Sequence, residues 1–396
     1  MTTPAGQRAD DPSTEVTLLP PALRFKTVPP AAALSTCVVD PRGDLWLHTT
    51  GSAGILEPPN VPTKFRVCSR TMARSSRVFE KMLFGGFAES KTENGAEWVV
   101  QLPDDATITM QPLFELMHSK FDSLERPAGE RSQSDLLDKL HSLIVAADKY
   151  DCISLLKPFA AQWVKVLTVE HSNEWRLYRL AWIFYQLGCS DSYIEAATRL
   201  VVHYPSSGSS CYWYRPLPPN LRENVARIQA SMIAVLIAPV RERLDLLVKG
   251  GSTPGAVCKA KKQKTVDQAH MQKECEDRIL GQLIRDLFTH KLWPIPDTAQ
   301  IKSSPSALAK VVADLGVVIA AGLFGSAGNH ARCREIPAWT DATTTGTEVY
   351  SLSYSYTPSS EEIAHMNRQA MLTGMTSLNC GNGQASAQVL FPFKVL

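Results

Sequence analysis

The chain has 396 residues, enough for two or three domains, and 44% of them are hydrophobic, so real cores can form between polar segments. Lysine plus arginine number 41 against 39 acidic residues, and a net charge of +2 supplies no field that would draw the molecule to nucleic acid or to an anionic membrane. The nine cysteines are odd in number and contain no C-x-x-C pair, which argues against a disulfide framework and a paired zinc motif and leaves reduced thiols as the expectation.

Residues 1–40 are expected to form a flexible leader, because Pro4, Pro12, Pro20, Pro21, Pro29 and Pro30 stand among small and polar residues that resist packing. The start, Met1-Thr2-Thr3-Pro4, lacks the basic and apolar stretches of a secretory signal, and no N-x-S/T acceptor occurs, so a cytoplasmic or nuclear protein is expected.

From Gly43 the texture changes. Asp44-Leu45-Trp46-Leu47-His48-Thr49 alternates apolar and polar side chains as a half-buried strand does, and Thr63 to Cys68 reads as a second strand. Met72, Val78, Phe79, Met82 and Leu83 suit two short helices that Gly85-Gly86 stops. Trp98 to Leu102 reads as another strand, and Pro103-Asp104-Asp105 as its turn.

Leu113, Leu116, Met117 and Phe121 then mark a helix face. Ser132-x-x-Asp135 is a capping box for a helix carrying Leu136, Leu140, Leu143, Ala147 and Tyr150. Leu155, Leu156, Phe159, Trp163 and Val166 form the stripe of one more.

The region 167–325 reads as all-α. Trp175, Tyr178, Trp182 and Tyr185 share a face, Val225, Ile228, Met232 and Val235 share another, and Pro239 should kink that second helix. A helix with Met271, Cys275, Ile279, Leu283 and Leu287 follows, and Ser304-Pro305 opens the next. The apolar run Leu308 to Phe324 is broken by Lys310 and Asp314 and is too short for a crossing, so a core helix is expected and no membrane partner. Residues 326–396, rich in Ser, Thr and Gly, are expected to be a largely disordered tail.

Four stretches carry a family resemblance: Gly43-Asp44-Leu45-Trp46-Leu47, the run from Phe65 to Glu89, Val100-Gln101-Leu102-Pro103-Asp104-Asp105, and Ala146-Ala147-Asp148-Lys149-Tyr150. Together with the order strand, strand, helix pair, strand, helices, they resemble the BTB/POZ domain over residues 41–166. Ser76, Phe79, Met82, Phe87 and Glu89 sit where that family repeats a serine, an aromatic, an apolar pair and a glutamate. The helical region that follows is similar to that of fungal BTB proteins of unassigned role.

The resemblance implies an α+β fold, a short mixed sheet covered by helices, followed by the all-α C-terminal region. It implies a non-enzymatic protein-protein interaction module mediating homo- or hetero-association. Two alternatives stay open, a substrate adaptor of a cullin-based ubiquitin ligase and a transcriptional regulator. In adaptors of the family an apolar-x-Glu triplet meets the cullin scaffold, and Phe87-Ala88-Glu89 resembles it. The alternative is that Phe87 belongs to the core and Glu89 is merely solvated.

In transcription-factor members the first-strand aspartate, here Asp44, joins a basic residue in a charged pocket. This chain has Cys68 and Ser69 where a histidine and that basic residue stand, so Asp44 lacks its expected partner unless adjacent Arg70 substitutes.

Other chemistry finds no anchor. The histidines are scattered and no H-E-x-x-H occurs; Cys258 and Cys275 read as helix-packing thiols, so no metal and no cofactor is expected. Gly51-Ser52-Ala53-Gly54 and Gly325-Ser326-Ala327-Gly328 lack the spacing of a nucleophile elbow, and no phosphate-binding glycine loop is present. Lys259 to Lys264 could serve nuclear import or be a solvated loop, and without interleaved aromatics it makes no base-stacking site. Trp175, Tyr178, Trp182 and Tyr185 could line a groove, but their helical spacing favours core packing.

Overall fold

The computed structural model describes residues 34–49, 61–91, 97–121, 133–205, 216–249, 257–258, 267–322 and 355–376. Among these residues the fold is mixed α+β and mostly helical, with one small four-stranded sheet.

The sheet grows from the alternation read in the sequence. In β2 (Leu45–Thr49) and β3 (Thr63–Val67) every second side chain is buried: Leu45, Leu47 and Thr49 in one, Thr63, Phe65 and Val67 in the other. The two strands pair antiparallel, with Leu47 opposite Phe65. β4 (Val99–Leu102) joins β2 in parallel, Trp46 opposite Val99 and Leu47 opposite Val100, so Asp44-Leu45-Trp46 and Trp98-Val99-Val100 meet in one sheet as expected.

Ser35–Val38 form an edge strand, β1, parallel to β3. This corrects the leader boundary at residue 40: Ser-Thr-Cys-Val is proline-free and β-prone, and its carbonyls and amides pair with β3 despite the composition around it.

Helices cover the buried face of the sheet. α1 (Ser69–Ser75) and α2 (Arg77–Phe84) meet at Ser76, whose Oγ accepts the Phe79 N–H at 3.1 Å as the α2 cap and donates to the Tyr150 carbonyl at 2.5 Å. α3 (Thr107–Met117) buries Met110, Leu113, Phe114, Leu116 and Met117. α4 (Gln133–Lys149) buries Leu140, Leu143 and Ala147, with Tyr150 just beyond it; the Ser132 of the expected capping box lies outside the described residues. A 3-10 turn, Ile153–Leu156, then leads into α5 (Lys157–Val166), where Pro158 is compatible with a first helical turn.

The helical region is built round α6 (Glu174–Leu187), which is buried on nearly all sides from Leu177 onward. Tyr178, Trp182 and Tyr185 are core, not groove. α7 (Ser190–His203), α8 (Leu221–Lys249), α9 (Gln268–Thr289) and α10 (Pro305–Gly322) follow. α8 continues through Pro239 for 29 residues. α9 buries Cys275, Ile279, Leu283 and Leu287, and α10 starts on Ser304, whose Oγ accepts the Ala307 N–H at 3.3 Å. No helix among the described residues is long and apolar enough to cross a membrane.

The tail expectation is corrected for residues 355–376. Ser360–Thr373 form a helix, α11, opened by a two-way capping box between Ser359 and Glu362 and packed on α6 and α5. The buried residues from Val39 to Met375 form one contiguous core, and α4 packs directly on α6, so the boundary near residue 166 does not separate two cores.

Candidate functional site

The surface at the end of α2 is set by glycine chemistry. Gly85 closes the helix with its N–H on the Lys81 carbonyl at 2.7 Å, and Gly86 follows at φ 78°, a left-handed conformation that side chains disfavour. The chain then turns through Phe87-Ala88-Glu89.

The turn is pinned by its backbone. The Ser90 N–H donates to the Phe87 carbonyl at 3.0 Å, the Gly86 N–H to Ser90 Oγ at 3.2 Å, and the Trp98 indole N–H to the Glu89 carbonyl at 2.8 Å. All three residues of the triplet are exposed. Phe87 is 60% exposed, so it is not part of the core, and Glu89 is exposed beside it. Phe84, 49% exposed, leans edge-on against Trp98 at 5.9 Å, which places two aromatic rings and a carboxylate on one outer rim of the sheet-bearing part.

Asp44 lies elsewhere and does other work. Its carboxylate accepts both the Ser69 N–H and the Ser69 hydroxyl, each at 2.8 Å. The expectation of a missing partner, or of Arg70 in its place, is corrected: the serine at the position of the basic residue is itself the partner, and Arg70 is exposed. Asp44 thus caps the amino end of α1 from a different element.

Burial works against ionisation of Asp44, but the two Ser69 hydrogen bonds, with a bond to Asp44's own backbone and the Lys91 charge, together hold the carboxyl below its ordinary value. A folded-state pKa below the unfolded one stabilises the fold above about pH 4, and this contribution fades as pH falls through the depressed value. Asp44→Ala is expected to cost about 1 kcal/mol, the usual worth of a helix cap, in urea titrations at pH 7, and less as the pH is lowered through the acid range.

Three further groups hold the same frame: His118, which the sequence reading did not single out, and Asp105 and Tyr150, whose contact it did not foresee. His118 Nε2 accepts the Cys68 N–H at 3.0 Å while Nδ1–H donates to the Phe114 carbonyl at 2.8 Å, tying the end of β3 to α3. Burial lowers the pKa of this imidazole. Asp105 accepts the Tyr150 hydroxyl and the Lys149 ammonium, both at 2.7 Å, so the Pro103-Asp104-Asp105 turn and the Ala146 to Tyr150 stretch meet in space. Burial, then Asp105, raises the Tyr150 pKa well above that of a free tyrosine.

The other sequence candidates separate. Cys258 and Cys275 are buried and joined in no disulfide, and no cluster of three or more metal-ligating groups occurs among the described residues. Lys259 to Lys264, Gly51 to Gly54 and Gly325 to Gly328 lie outside the described residues. A cleft of about 430 Å³ at the α1–α2 junction mixes Arg74 and Arg77 with Glu80 and Asp151, a balance that selects no ligand charge.

Compared with protein-family models, curated proteins and solved structures, the chain matches none.

Proposed function

We propose that the chain is a non-enzymatic protein-interaction module of BTB/POZ type, which associates with itself or with another protein in the cytosol or nucleus. The observation that carries this reading is the rim after α2, where Phe84 and Phe87 stand in solvent beside Glu89 on a turn whose backbone is hydrogen-bonded to Ser90 and Trp98. Exposed aromatics on a fixed scaffold are the usual anchors of protein interfaces, since they fill a pocket at small entropic cost. The edge strand β1 supports it further: Leu34 and Val38 are exposed beside a backbone edge that no strand among the described residues pairs, and such an edge invites a partner strand.

A cullin-linked adaptor role is the second reading, favoured by the exposure of both Phe87 and Glu89. The ring would enter a pocket while the carboxylate meets a cation at its rim.

The double variant Phe87→Ala, Glu89→Ala separates surface from fold. It is expected to keep the wild-type circular dichroism and melting temperature, because neither side chain is buried. Its association with the partner, whether a cullin scaffold or a protein recovered by proximity labelling, is expected to weaken at least tenfold. Unchanged co-purification would remove this rim from the interface.

A further inference from the structure

Helix α11 reaches its neighbours from far along the chain, and what it buries is unusual. Of its three buried side chains, Glu362, Met366 and Thr373, two are polar. Met366 alone supplies fully buried apolar contact from within the helix, with Tyr356 before it and Met375 after it. These three and the half-buried Ala370 join the common core, and a set of hydrogen bonds accompanies them.

Those bonds form three groups. The Glu362 carboxylate accepts the hydroxyl of Tyr193 on α7 and that of Tyr356 at 3.0 Å, together with the Ser359 N–H at 2.7 Å, and the Tyr356 N–H donates to Thr198 Oγ1 at 2.8 Å. His365 lies flat on Tyr185 at 4.1 Å, and its Nε2–H and the Gln369 amide both donate to Gln186 Oε1, at 3.3 and 3.2 Å. At the far end the Thr373 hydroxyl donates to the Leu187 carbonyl at 2.7 Å.

Gly188 completes the seat. It caps α6 at φ 80°, and a side chain there would collide with the Ala370 backbone nitrogen at 2.3 Å. The end of α6 is therefore shaped to admit the α11 backbone. On the outer face of α11, Ile363, Met371 and Leu372 stay in solvent, Met371 at 75%.

An interface rich in matched polar groups has partners in both states: docked, they bond each other, and apart, they return to water. A seam of apolar side chains has no such second option. The seam also joins the two parts of the fold, since α11 touches the 3-10 turn and α5 on one side and α6 on the other.

We propose that residues 355–376 are a dissociable strap. Docked, it ties the sheet-bearing part to the helical region through the tyrosine-glutamate latch. Released as a unit, with the rest of the chain still folded, it bares a groove on α6 and α7 lined by Tyr185, Gln186, Gly188, Tyr193 and Thr198.

Hydrogen exchange read by mass spectrometry on the full chain tests this without any substitution. In low urea the amides of 360–373 are expected to exchange at least tenfold faster than those of α6 and α7. Tyr193→Phe, which removes one donor from Glu362 and keeps the ring, is expected to speed exchange of 360–373 about tenfold more while α6 keeps its protection. Exchange of 360–373 in step with α6 at every urea concentration would overturn the strap, as would a Tyr193→Phe chain in which both speed up equally.

Discussion

Phe79→Ala is expected to destabilise the protein by about 3–5 kcal/mol, a large share of the stability of an ordinary domain. The ring is fully buried and joins α2 to α3 and to the end of α4. It stacks on Tyr150 at 4.4 Å with the planes 6° apart, and meets Phe114 edge-on at 6.3 Å. Phe114 in turn lies 5.2 Å from Phe65 in β3. Removing it opens a cavity between α2, α3 and the end of α4 and strips the Tyr150 ring whose hydroxyl anchors Asp105. Urea denaturation followed by circular dichroism measures the loss. Val78→Ala, one residue away and 37% exposed, is the control and should change stability by less than about 0.5 kcal/mol. Equal losses from the two would place Phe79 outside the core.

His141 is expected to make the fold acid-sensitive above the range where carboxylates titrate. It is buried against α6, and burial first, then the Arg179 guanidinium, lowers its pKa to about 3. Its Nε2 is buried with no hydrogen-bond partner among the described residues. The unfolded chain takes up a proton near pH 6.5 and the folded chain does not, so unfolding becomes easier as pH falls from about 6.5 towards 3 and the effect levels off below. At pH 5 the loss is about 2 kcal/mol relative to neutral pH.

His141→Leu, apolar and of similar size, should abolish that part of the slope. His48, His118, His203 and His365 are also held below the ordinary histidine value, so some acid sensitivity will persist. The difference between variant and wild type at pH 7 and pH 5 isolates His141. Parallel stability curves for the two proteins would contradict the assignment.

How far the fold is legible in the sequence depends on what holds each element. Leu45 and Leu47, or Phe65 and Val67, announce their strand because one face is apolar and the period is two. Cys275, Ile279, Leu283 and Leu287 announce a helix by spacing alone. β1 is hidden because four residues without alternation become a strand only by pairing with β3. α11 is hidden because its anchors are polar. Ser359 and Glu362 have capping-box spacing, but the Tyr193 that satisfies Glu362 lies 169 positions away amid no local signal.

The candidate site divides in the same way. Phe87 and Glu89 are legible as residues worth singling out, whereas exposure follows from the left-handed Gly86 and the pinned turn, which spacing does not reveal. The partner of Asp44 is missed because the resemblance implies a basic residue at the position that Ser69 occupies. Here a hydroxyl and a backbone amide of Ser69 serve instead, and both are invisible to charge pairing. Asp105 and Tyr150 stand in separate stretches of the resemblance, and only the folded chain brings them to 2.7 Å.

The claim on which the proposed function rests is that this molecule holds another polypeptide, and the most direct test is its mass in solution. Size-exclusion chromatography with light scattering on the full chain, from nanomolar to tens of micromolar, is expected to give a mass that rises above the 43.6 kDa of one chain, or a stable complex when a protein captured by proximity labelling is added. A constant 43.6 kDa at every concentration, with no protein retained, would contradict it.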